Sequence, residues 1–197
     1  MRQTLIRQVK LILAILLGYL GHVSLMPYID IGGTSPSLLI AMTAIITVGY
    51  GLLHGLWIGM FYGIVMEIML PTVPMLNLLF YPISALVCAM FFADRSEAQL
   101  QYARSIGRRG RNISPLLRTV LCALVNVIVY EIVNLVYMYL SGAELSSALI
   151  QRALIDALAT TVLTAVIMIP VRKLLGFRKK EEAPVAELRF DHRPERD

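Results

Sequence analysis

Five side chains able to ionise or to hydrogen-bond strongly lie inside otherwise apolar stretches: Glu67, Glu131, Asn134, Arg152 and Asp156. A charge left bare in hydrocarbon costs at least about 2.5–3.5 kcal/mol, so each charged one needs a partner, a proton or a route to water. Arg152, Asp156, Thr160 and Thr164 recur at spacing four, which places them along one helix face. Asn126, Tyr130, Glu131, Asn134 and Tyr137 spread over one broad face of the preceding segment. At about 1.5 Å per residue, Glu131 and Asp156 both sit about 14 Å from the joined ends of their helices, and Arg152 about 8 Å. Arg152 is the cation available to both acids. Two chemistries follow. An ion-pair clasp of Arg152 with Asp156 and Glu131 would hold the two helices together, and this is the simpler reading. A polar cavity binding a ligand is the alternative. Glu67 lies near the end of a different segment. It is either hydrated at headgroup level or takes a donor or a proton.

Glycines form the second pattern. Gly51, Gly55, Gly59 and Gly63 precede Glu67, all at spacing four. Small residues on one helix ridge let backbones approach where lipid supplies no drive for association. The ridge reads as a packing seam, against either this chain or a partner, with Ile58 on the opposite side. Other chemistry finds no footing in the sequence. The two cysteines, Cys88 and Cys122, fall inside apolar runs, and no spaced Cys/His set suggests a metal. His22 and His54 are isolated. No phosphate-binding loop, nucleophile elbow or zinc-protease motif occurs. The chain therefore reads as neither an enzyme nor a cofactor protein.

The elements that carry these residues are membrane helices. Apolar residues make up 57% of the 197-residue chain and charged residues 16%, against about 45–50% and about 25% in soluble domains. That excludes a soluble enzyme. From Leu11 to Ala93 there is no Lys or Arg, and the only acids are Asp30 and Glu67. The runs are continuous rather than alternating, so the spans are helices rather than barrel strands. The fold class is all-α, with six spans at about 5–26, 36–52, 54–70, 75–92, 116–140 and 147–175. Ser35 is the expected N-cap of the second, with Pro36 at its first turn, and Pro82 is expected to kink the fourth. A loop over 94–115 and a charged tail over 176–197, expected to be disordered, complete the chain. This count puts 17 of the 18 Lys and Arg residues on one side, which the positive-inside rule makes cytoplasmic, with both termini. The basic run Arg104, Arg108, Arg109 and Arg111 then faces anionic lipid rather than nucleic acid.

One stretch has a family likeness. A proline opens the second helix at Ser35-Pro36-Ser37-Leu38-Leu39. A glycine follows at a short turn, then the ladder Gly55, Gly59, Gly63 and Glu67, then an apolar helix with a central Tyr81-Pro82, through Met90. This resembles MreD, the rod shape-determining membrane protein family of bacteria, in which the ladder usually ends in Asp where this chain has Glu67. The resemblance implies a non-catalytic subunit of the cell-elongation machinery in the bacterial inner membrane. It also implies partners: an MreC-like protein and, through it, MreB and peptidoglycan synthases. The family is similar in fold to the S-components of energy-coupling-factor vitamin transporters. That supplies the alternative, a substrate-binding transporter subunit.

Overall fold

The computed structural model describes residues 2–69, 75–92, 114–142, 144 and 146–176. The arginine-rich run from Arg104 to Arg111 and the charged tail beyond Gly176 lie outside the described residues. Six α-helices are present among those described: α1 Arg2–Leu25, α2 Leu38–Tyr50, α3 Leu52–Met69, α4 Leu76–Phe92, α5 Pro115–Leu140 and α6 Ser147–Leu174. A single 3-10 turn, Met26–Tyr28, extends α1. The described residues include no strand, only an isolated bridge between Ile31 and Thr34. α1 with its turn, α3, α5 and α6 are long and apolar enough to cross a membrane, while α2 and α4 are shorter apolar helices. The chain is a helical membrane protein.

Local chemistry sets the helix starts. The hydroxyls of Ser37, Ser114 and Ser146 accept from the backbone N–H groups of Ile40, Leu117 and Leu149 at 3.4, 3.3 and 3.3 Å. Each ties down one otherwise orphaned donor. The cap of α2 is thus Ser37 and not the expected Ser35. Pro36 stays in the extended lead-in, where its missing N–H leaves no donor to satisfy. Within the spans, Thr43, Thr119, Thr161 and Thr164 return their hydroxyls to carbonyls one turn back at 2.7–2.9 Å. These four hydroxyl protons are thus satisfied within their own helices, while the buried Thr47 Oγ1 of α2 makes no hydrogen bond among the described residues.

α2 is the core. Every residue from Leu38 to Val48 is buried, and α1, α3, α4, α5 and α6 all pack on it. Its 13 residues span about 20 Å, short of a hydrocarbon core about 30 Å thick. Residues 29–37, which lead into it, run along the first half of α6. Gly32 lies against Ile155 and Gly33 against Arg152, while the Ser37 N–H donates to Thr160 Oγ1 at 2.9 Å. α1 closes one side. A Cβ added to Gly18 would come 2.9 Å from Met42, and the Tyr62 hydroxyl donates to the Ile15 carbonyl at 3.0 Å. Basic residues gather at one end of the bundle, where the Arg7 guanidinium stacks 4.6 Å from the Tyr50 ring centroid. The acids Glu67, Glu131 and Asp156 belong to the far half.

Candidate functional site

The glycine ridge lies inside this chain. A Cβ on Gly59 would come 2.7 Å from the Tyr81 carbonyl oxygen and 2.8 Å from Pro82 Cα. One on Gly63 would come 2.8 Å from the Asn77 carbonyl oxygen. Real side chains do not fit there, so α3 meets α4 backbone to backbone. Gly55 performs the same service for α2, with Thr47 Oγ1 2.6 Å from its would-be Cβ. Gly51 stands apart from the ridge. It terminates α2 with φ of +88°, has nothing within 4 Å of a would-be Cβ, and precedes the start of α3. Its glycine serves a backbone turn that L side chains rarely adopt. Ile58, expected on the opposite side, is buried.

Glu67 ends the ladder by closing the next helix. Its Oε1 accepts from the Met75 N–H at 2.6 Å and its Oε2 from the Asn77 N–H at 3.2 Å. These are orphan donors of the first turn of α4, the end of a helix dipole that favours negative charge. Met75 takes a positive φ of 64° at that corner. The glutamate lets α4 begin at the level where α3 ends.

The polar seam is assembled from α2, α4, α5 and α6. Asp156 and Glu131 bring their carboxyl groups close to each other across the α5–α6 interface. Thr160 lies one turn further along α6, 3.5 Å from Asp156 Oδ1, and its oxygen receives the Ser37 N–H. The fully buried Tyr81 of α4 lies beside the Ser37 side chain, and its ring leans on Tyr130 at 6.4 Å between centroids. The seam therefore runs Glu131, Asp156, Thr160, Ser37, Tyr81, with the N-terminus of α2 at its centre.

Comparison of the chain with protein-family models, curated proteins and solved structures finds no match.

The expected clasp does not form. Arg152 is exposed, makes no ion pair among the described residues, and lies with its guanidinium beside Gly33. Long side chains on a helix run toward its N-terminus, which carries Arg152 away from Asp156 one turn later. An acid placed before a base is the favourable order, and here the order is reversed. Asn134 is half-buried one turn from Glu131 and joins no hydrogen bond among the described residues. Sequence reasoning missed Ser37 and Tyr81 as members of the seam. The signal available was Ser37 itself, three residues before Ile40 at the start of a run without charge. Among the described residues no three His, Cys, Asp or Glu side chains come together to hold a metal ion.

Proposed function

We propose that the chain is a non-catalytic membrane scaffold of the bacterial cell-elongation machinery, of the MreD kind. It would hold an MreC-like protein and, through it, MreB and peptidoglycan synthases at the inner membrane. The observation that carries this reading is the stretch from Ser35 to Met90, where the resemblance and the packing coincide. Gly59 and Gly63 let α3 touch the α4 backbone, and Glu67 caps α4. The ladder and its acidic end are thus one device, a rigid α3–α4 hairpin. A part with that purpose suits a scaffold.

The same reading takes all six helices as spans of an S-component-like bundle with both termini cytoplasmic. What supports it is the gathering of 17 of 18 Lys and Arg residues on one side under that count. The lead-in over residues 29–37 would complete the short α2 span. The basic end would then lie against anionic lipid.

One observation favours a second reading, a substrate-binding transporter subunit. The seam brings carboxyl, hydroxyl and phenol groups to a helix N-terminus within the bundle, the kind of place where transporters hold ligands. Affinity purification of the full chain from native membranes in mild detergent separates the two. The scaffold reading expects an MreC-like protein and synthases in the eluate. Recovery of an ATPase-linked coupling subunit in their place would install the transporter reading.

A further inference from the structure

Charge at the basic end of the bundle is left over once the fold is accounted for. Of the acids among the described residues, Glu67, Glu131 and Asp156 belong to the far half of the bundle, and Asp30 and Glu144 to the connections beyond it. Arg7 and Lys10 of α1 lie at the opposite end and make no ion pair among the described residues. One of these cations is held in place. The Arg7 guanidinium sits 4.6 Å from the centre of the ring of Tyr50, the last residue of α2. The ring of His54, in the first turn of α3, lies 5.1 Å from that same centre. One tyrosine thus gathers a guanidinium from α1 and an imidazole from α3 at a single corner. Stacking uses a face of the guanidinium and leaves its in-plane N–H donors unspent, for Arg7 makes no hydrogen bond among the described residues. Apolar side chains border the corner. Leu53 and Trp57, beside and one turn after His54, are exposed, and so is Ile6 beside Arg7.

The geometry points to a site for the phosphate group of one anionic membrane lipid, with Arg7 and His54 as donors and Leu53 and Trp57 against the top of its acyl chains. The planar fork of an arginine matches two oxygens of a phosphate, and an imidazole N–H supplies a further donor. Charge complementarity selects an anion. The exposed leucine and indole select a lipid over free phosphate, which would leave them uncovered, and an indole is at home at headgroup level. The chain's own tail is a poor substitute, since residues 176–197 carry six basic and six acidic side chains and bring no net charge. α1 and α3 already meet deeper in the bundle, where the Tyr62 hydroxyl donates to the Ile15 carbonyl at 3.0 Å. A phosphate shared by Arg7 and His54 joins the two helices again at the membrane surface. The inference rests on the reading that sets the basic end against anionic lipid, and it needs neither the scaffold nor the transporter function.

The test titrates the full chain in detergent with phosphatidylglycerol or phosphatidylcholine and counts bound lipid by native mass spectrometry, with inorganic phosphate as competitor. One phosphatidylglycerol should bind at least about tenfold more tightly than phosphatidylcholine, and inorganic phosphate at the same concentration should not displace it. Arg7→Gln should weaken that binding about tenfold, the loss of a charged hydrogen-bonded contact. Arg7→Lys keeps the charge without the fork and should weaken it about threefold. His54→Phe keeps a ring against Tyr50 without the donor and should also cost about threefold. Lys173→Gln removes the same charge at the end of α6 and should change binding less than about twofold. Equal losses from Lys173→Gln and Arg7→Gln would replace the site by a diffuse basic surface, which overturns the proposal and leaves the membrane placement standing. Unchanged binding in His54→Phe, or displacement by inorganic phosphate, would overturn it as well. Equal binding of the two lipids would count against both the site and the anionic-surface reading.

Discussion

The three acids in the far half of the bundle have two fates, and their partners explain why. Glu67 is met by backbone donors, so its charge completes a helix end. Glu67→Ala should lower stability in detergent by about 1 kcal/mol, within the range of about 0.5–2 for a lost cap, and Glu67→Gln by less. Thermal unfolding of the purified variants checks the order. Glu131 and Asp156 face each other, and Arg152 makes no ion pair with either. Arg152→Leu should then change stability by no more than about 0.5 kcal/mol. Glu131→Ala, which strands the Asp156 carboxyl, should cost about 1–3 kcal/mol, and Glu131→Gln should recover part of that by restoring a donor. Equal damage from Arg152→Leu and Glu131→Ala in the same unfolding assay would return Arg152 to the cluster. The sequence makes these residues conspicuous because each is rare in an apolar run. It does not reveal which way a long side chain leans. Depth along each helix brought Arg152 near both acids on paper, while the N-terminal tilt of helical side chains and the strand-like loop over Gly33 carry it off.

Among the elements, α3 and α4 pack backbone to backbone, for a reason visible in single atoms. At Gly59 even a methyl group would press on the Tyr81 carbonyl. Gly59→Ala should cost about 1–3 kcal/mol through forced backbone shifts, and Gly59→Leu should prevent the hairpin from closing. Ile64→Leu, on the exposed side of the same helix, should be silent. Folded yield by size-exclusion chromatography in detergent distinguishes them. α2 depends on Thr160, whose oxygen receives the Ser37 N–H at the point where the chain turns from extended to helical. Thr160→Val keeps the shape and removes the acceptor, and should cost about 1–3 kcal/mol of stability in the same assay. The six helices were legible in sequence because punctuation by Pro, Gly and Ser is strong there, and their ends fall within a few residues of the expected ones. The central place of α2 was not. In a membrane the core and the surroundings are both apolar, so hydrophobicity does not sort inside from outside. The faint clues are small or hydroxylated residues such as Ala41, Thr43, Ala44 and Thr47, which suit contact on all sides.

For the whole molecule, α3 and α4 pack backbone to backbone beside a cleft on the α4–α5 face. Apolar side chains cover the remaining flanks of the bundle, and its basic end suits an anionic membrane surface. The residue-level and element-level predictions test how the bundle is held together. Its purpose is tested by depleting the protein from a rod-shaped host and supplying back either the unaltered chain or Gly59→Leu, with cell width and growth on minimal medium as the readouts. The account predicts that depleted cells round or swell, that the unaltered chain restores rods, and that Gly59→Leu does not. Cells that keep their rod shape after depletion but grow only when a vitamin is added would contradict it.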